Sequence, residues 1–313
     1  MSMGTLDEPT VASVAARPAP ARASVVLPEG YLLAGRYRIG DQLGAGGAAA
    51  VYRADDTALN RPVAVKVFAP AGDPLGLAGH DDPTARFAAE VRTHARLRHR
   101  GLVQLFDAFE PAPSAEGDAA DVDGAGAPES WGALVLELAP GGTLAQRLAG
   151  PYRTDGAAPT LALQLAETLS YLHGNGIAHC DVKPSNIVFG ADGEAKLIDL
   201  GIAVDTACAR TQVPSGWLAG TARYASPEQL RGRPLTTATD IYSLGLVLLD
   251  VLAGPRPASA SALPIVDDAA VEVPDRLGSQ WFWLLTAMLS GDPARRPSAD
   301  DVALAVRRIA CAA

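Results

Sequence analysis

One stretch, His179 to Gly201 (HCDVKPSNIVFGADGEAKLIDLG), constrains this chain more than any other. Asp181, Lys183 and Asn186 share a short loop. A strand pair, Ile187–Phe189 and Ala195–Ile198, then delivers a second carboxylate, Asp199, ahead of a leucine and a glycine. A carboxylate can take the proton of an attacking hydroxyl, and an ammonium can offset charge on a moving phosphoryl group. An amide oxygen with another carboxylate can hold Mg²⁺. The spacing points to metal-dependent phosphoryl transfer with no covalent intermediate.

The remainder of the chain is compatible with a two-lobed enzyme. Its 313 residues are 48% hydrophobic and 19% charged, enough for a sizeable core. A net charge of −9 without any basic run argues against general nucleic-acid binding. Three cysteines, Cys180, Cys208 and Cys311, show no metal-ligand spacing and suit a reducing cytoplasm. The sequence has no apolar run of about 18 residues, so no membrane segment is expected in this chain.

Local patterns divide the chain into a strand-rich part followed by a helical part. Residues 1–32, rich in Ala and Pro up to about Gly30, read as a disordered arm. Strands are expected at Tyr37–Leu43, Val51–Ala54, Arg61–Phe68, Gly101–Phe109 and Ala133–Leu138, with a turn over Gly44–Ala50. A helix is expected over Thr84–Arg98, with Phe87, Val91 and Leu97 on its apolar side. Residues 111–132, long and rich in Ala, Gly, Asp and Pro, read as a mobile insertion. Helices follow at Thr143–Leu148, Thr160–Asn175, Asp240–Leu252, Gln280–Leu289 and Ser298–Ile309. The fold class is therefore α+β, with a cleft between the two parts.

At the opening stretch the chain resembles the protein kinase family. That family's H-R-D-L-x-x-x-N and D-F-G signatures read here as His179-Cys180-Asp181-Val182-Lys183-Pro184-Ser185-Asn186 and Asp199-Leu200-Gly201. Cys180 and Leu200 are the departures, and Lys183 resembles the serine/threonine version. The Ala, Arg and Gly bias resembles eukaryotic-like kinases of high-GC bacteria. The resemblance implies a bilobal kinase fold: a mostly β N-lobe with one regulatory helix over 33–138, and a larger helical C-lobe over 139–313.

The resemblance also assigns roles. Leu43, Gly44, Ala45, Gly46 and Gly47 would form the glycine-rich loop over the phosphates of ATP, with Ala49 in place of the third glycine. Lys66 would hold the α and β phosphates and Glu90 would orient Lys66. Asp181 would be the catalytic base, Lys183 would steady the γ-phosphate, and Asn186 and Asp199 would bind Mg²⁺ or, in its place, Mn²⁺. Adenine would meet the main chain of Glu137 and Ala139 beside the gatekeeper Leu136, with Val51, Ala64 and Val188 on its faces. Asp240 is read locally as the N-cap of its helix, and by resemblance as a brace on the His179-Cys180 loop. Thr221 would help to set Ser/Thr preference, and Glu228 would pair with Arg296.

Only three of the 26 basic residues are lysines, Lys66, Lys183 and Lys196. Two of the three fall where the resemblance requires an ammonium, in a chain that otherwise uses arginine. Cys180 replaces the arginine that clasps an activation-loop phosphate in many relatives, so little dependence on phosphorylation of Thr206, Thr211 or Ser215 is expected. Protein substrates bearing Ser or Thr are implied, and self-association with autophosphorylation is compatible. A nucleotide-binding pseudokinase scaffold and a small-molecule phosphotransferase of the same fold stay open as alternatives.

Overall fold

The computed structural model describes residues 27–45, 49–68, 83–109, 132–150, 157–200, 203–205, 222–255 and 271–312. The small lobe is an antiparallel sheet of six strands: β1 (Leu32–Leu33), β2 (Tyr37–Ala45), β3 (Ala49–Asp56), β4 (Arg61–Phe68), β5 (Leu105–Phe109) and β6 (Gly132–Glu137). Their order is β1-β2-β3-β4-β6-β5, and helix α1 (Pro83–Arg96) packs on one face.

Strand alternation decides what reaches the crevice. Val63, Val65 and Val67 of β4 are fully buried among Tyr37, Ile39, Tyr52 and Val135 on one face. Their neighbours Ala64 and Lys66 must then point to the other. In register, Val51 and Leu134 flank Lys66, and Leu136 lies beside Ala64. Directly opposed residues share a face, so Val51, Ala64, Lys66, Leu134 and Leu136 line one side together. Phe87 of α1 joins their cluster, edge-on to Phe68. Gly132 permits that approach, since a Cβ there would stand 2.9 Å from the Phe87 ring.

The large lobe carries α2 (Leu144–Ala149), α3 (Ala158–Gly174), a one-turn α4 (Pro227–Leu230), α5 (Thr237–Ala253), α6 (Ser279–Met288) and α7 (Ala299–Ala312). A small hairpin, β8 (Ile187–Phe189) with β9 (Ala195–Leu197), accompanies them, as does a two-stranded antiparallel pair of β7 (Ile177–Ala178) with β10 (Val204–Asp205). Helix α5 is buried at every position from Thr239 to Val251, as an almost wholly apolar helix should be, with the polar Asp240, Ser243 and Asp250 buried among its apolar residues. Leu161, Leu165, Leu169 and Leu172 form the buried face of α3 against it. No described helix is long and apolar enough to cross a membrane.

Several boundaries differ from expectation for physical reasons. Residues 27–31 already pack on the sheet: Leu27 is buried, and its N–H donates to the Tyr52 hydroxyl at 3.2 Å. Gly44 and Ala45 continue β2 and pair with Val51 and Ala50, so the expected turn shrinks. Gly101 to Gln104 is not strand; Gly101 packs so tightly on α3 that a Cβ would lie 1.8 Å from Thr168 Oγ1. Helix α5 starts three residues before Asp240. Its N-cap is Thr236, whose hydroxyl accepts from the Ala238 N–H in a capping box with Thr239, so the reading of Asp240 as the cap is corrected. Gly46, Gly47, Cys208, Thr221, the three activation-loop hydroxyls and residues 111–131 of the insertion lie outside the described residues.

Candidate active site

Lys66 sits at the back of the crevice, where β4 alternation places it, with its Nζ 2.6 Å from Glu90 Oε1 and 2.9 Å from Asp199 Oδ1. Burial alone would lower the pKa of this ammonium, but the charges of Asp199 and Glu90 outweigh it and hold the pKa above the ordinary lysine value. Lys66 is therefore charged and ties three elements together: β4, α1 and the segment after β9.

The loop after β7 is organised around Asp181. Its Oδ2 accepts from Asn186 Nδ2 at 2.8 Å and faces Lys183 Nζ at 2.8 Å. Its Oδ1 is buried and has no hydrogen-bond partner among the described residues. An unsatisfied buried acceptor costs about 1–3 kcal/mol, and an incoming hydroxyl would supply the missing donor. Burial raises the Asp181 carboxyl above the usual range, against the opposing pull of Lys183. A raised value suits a proton acceptor working near neutral pH.

Asp240 fixes this loop from below. Its Oδ2 accepts the His179 N–H at 2.8 Å and contacts His173 Nε2 at 2.9 Å, while its Oδ1 accepts the Cys180 N–H at 2.7 Å. The Cys180 carbonyl accepts from Gln229 Nε2 at 2.8 Å. Cys180 is thereby clamped in the left-handed region, φ +62°. Asp199 is the other strained residue here, φ +70°, and such conformations persist where neighbours over-determine them. Those neighbours hold Ile198: its N–H donates to the Asn186 carbonyl at 3.0 Å, and its carbonyl takes His179 Nε2 at 3.2 Å. Because the Asp181 N–H donates to His179 Nδ1, Nε2 is the protonated nitrogen.

The donor set suits a hard divalent cation. Asn186 spends its amide nitrogen on Asp181, leaving an amide oxygen, and Asp199 contributes a side chain that is 42% exposed. No group of three or more His, Cys, Asp or Glu with metal-holding geometry exists among the described residues. Mg²⁺ bound by one or two side chains plus phosphate oxygens needs no such cage.

On the nucleobase side, Val51, Ala64 and Leu136 lie on the crevice face, and Val188 is buried on β8 below. The Glu137 N–H is taken by the Gln104 carbonyl at 2.9 Å, which leaves the Glu137 carbonyl as its polar group for a base. Pattern reading missed Gln229 and His173 as partners of the loop, since neither carries a local signal.

An antiparallel sheet over a helical lobe, with this ammonium–carboxylate lattice between them, defines the kinase-fold class. Residues 37–305 match the protein kinase domain family, and the chain belongs to it. It is 32% identical over 289 residues to the serine/threonine-protein kinase PknA of Corynebacterium glutamicum, covering 89% of this chain and 57% of that protein. To PknB of Mycobacterium leprae it is 35% identical over 230 residues, 72% of this chain and 33% of the relative. To PknL of Mycobacterium bovis it is 34% identical over 286 residues, 88% and 65% respectively. The chain thus spans less than two thirds of each of these relatives. Members of the family use ATP with a divalent metal ion.

Proposed function

We propose that this chain transfers the γ-phosphoryl group of ATP to Ser or Thr hydroxyls of protein substrates. The observation that carries the reading is the pairing of a fully engaged Lys66 with an Asp181 whose Oδ1 awaits a donor. The names of the relatives support the Ser/Thr class.

In this reading Lys66 holds the α and β phosphates, and Glu90 keeps α1 and Lys66 in place. The substrate hydroxyl donates to Asp181; its oxygen attacks the γ-phosphorus in line as the bond to the β–γ bridging oxygen breaks. The proton passes to Asp181, ADP leaves, and Lys183 offsets charge on the moving group. Asn186 and Asp199 would hold Mg²⁺, or Mn²⁺ in its place, which when bound neutralises charge on the phosphates. Proton transfer of this kind is worth roughly 10²–10⁴ in rate, with positioning and charge supplying most of the remainder.

Purified protein with Mg-ATP and a generic basic protein tests this directly. Phosphorylation of Ser or Thr should fall about 10²–10⁴-fold in Asp181→Asn while ATP still binds. No transfer by the unaltered chain would favour a nucleotide-binding scaffold, and equal transfer by the variant would remove Asp181 from the role of base.

Cys180 extends the proposal to regulation. The arginine at this position in many relatives can clasp a phosphate, in bonds worth about 1.5–3 kcal/mol each. The Cys180 thiol is buried and makes a weak hydrogen bond, to the Ala178 carbonyl at 3.7 Å, so activity should depend little on activation-loop phosphorylation. Phosphatase treatment followed by the same assay decides it: a hundredfold fall, some 2.7 kcal/mol in barrier, would rule the idea out.

A further inference from the structure

The third lysine also belongs to the crevice. Lys196 of β9 is 8% exposed, and its Nζ contacts Glu137 Oε1 at 3.0 Å and Oε2 at 3.3 Å. Glu137 ends β6, where the chain leaves the small lobe; Lys196 lies in register with Val188 on the large lobe's hairpin. Glu137 Oε2 also accepts the Gln104 N–H at 3.2 Å, and the Gln104 carbonyl takes the Glu137 N–H at 2.9 Å. The Glu137 main chain is thus held by Gln104, and its side chain both by Gln104 and, across the hinge, by Lys196.

We propose that Lys196 is a positioning residue for the nucleotide: its ion pair with Glu137 sets the separation between the hinge main chain and Val188, and so the width of the adenine slot. The inference rests on the kinase reading, because the slot is defined by it. The Lys196 stem runs past Gly190 at van der Waals distance, its Cε 3.4 Å from where a Cβ at Gly190 would stand. A guanidinium is broader and would set a different spacing, consistent with lysine at this position in a chain that favours arginine.

Removing one charge alone leaves its partner uncompensated, so the informative variant removes both. Lys196→Met/Glu137→Gln should raise the Kd for Mg-ATP about tenfold, equivalent to 1.4 kcal/mol, with an unchanged melting temperature. Lys196→Arg should recover only part of the affinity. In a double-mutant cycle the two single variants should be non-additive. Unchanged ATP affinity in the double variant overturns the inference and leaves the kinase reading standing. A parallel loss of kcat, affinity and melting temperature overturns it too, because that is a structural role. Failure of the unaltered chain to bind ATP removes the parent reading and this one together.

Discussion

Asp240 holds Cys180 in a left-handed backbone: Oδ1 accepts the Cys180 N–H at 2.7 Å where φ is +62°. The adjacent His179 N–H lies on the other oxygen at 2.8 Å, so one carboxylate orients the two residues that precede Asp181. A non-glycine residue in this conformation costs about 1–3 kcal/mol, and the two charged hydrogen bonds offset it.

Asp240→Asn keeps the shape but turns at least one acceptor into a donor facing an N–H. The loss should reach at least about 1.5–3 kcal/mol in urea denaturation, with kcat down a hundredfold or more as the loop relaxes. A variant with normal stability and kcat would show that the loop holds its conformation without the carboxylate.

His94, one turn after Glu90 on α1, is 5% exposed, and its Nε2 is buried without a partner. Burial, aided by the nearby Lys66 charge and opposed by Asp199, holds its imidazole down at about 4 instead of 6.5. A pKa lowered by folding means that the unfolded chain takes the proton first. The neutral ring's contribution is therefore complete above pH 6.5 and drains away as pH falls toward 4, a loss on the order of 3 kcal/mol. His94→Leu should flatten that part of the stability profile and raise stability at pH 7 by about 1–3 kcal/mol through removal of an unsatisfied polar atom. Urea midpoints at pH 7 and 4.5 for both proteins check it; parallel profiles would refute it.

What the sequence made legible follows the range of the interactions involved. Val63, Val65 and Val67 against Ala64 and Lys66 is a period-two pattern, so the side of the sheet that carries Lys66 can be read directly. The helical face of Leu161, Leu165, Leu169 and Leu172 is equally local. Asp240 looked like a cap because acidic residues start helices, yet the cap is Thr236 and Asp240 acts on partners 60 and 61 residues away. Gly101 reads as strand until Thr168 is known to press on it. Lys196 gave one signal, its rarity, but its meaning needed the position of Glu137, 59 residues earlier.

At lower pH than His94, Asp56 is a second acid-sensitive point of the small lobe. The Arg36 guanidinium, bound in a fork at 2.7 Å to both carboxylate oxygens, holds the Asp56 carboxyl down at about 2 from 3.8, against the effect of burial and with help from the N–H groups of Leu59 and Ala58. Its contribution is present above pH 3.8 and is lost as pH falls through 2. Asp56→Asn should lower the melting temperature at neutral pH and lose less than the parent between pH 4 and 2. Equal slopes for the two proteins over that range would contradict the assignment.

Arg296 and Glu228 form a bidentate pair in the large lobe, Nη1 to Oε1 at 2.7 Å and Nη2 to Oε2 at 2.9 Å, with the arginine side chain fully buried. Burial would raise the Glu228 carboxyl, but Arg296 outweighs it and holds it below the usual range. Arg296 also donates to the Ala238 and Ser290 carbonyls, so it joins α4, α5 and the turn after α6. Arg296→Ala strands a buried carboxylate and two carbonyls, and should cost about 3–5 kcal/mol. Arg296→Lys cannot reproduce the fork and should recover less than half of that. Since neither residue touches the crevice, kcat per folded molecule should stay within about twofold. Denaturation curves with activity normalised to the folded fraction separate the two quantities, and a large fall in normalised kcat would move this pair from scaffold to catalysis.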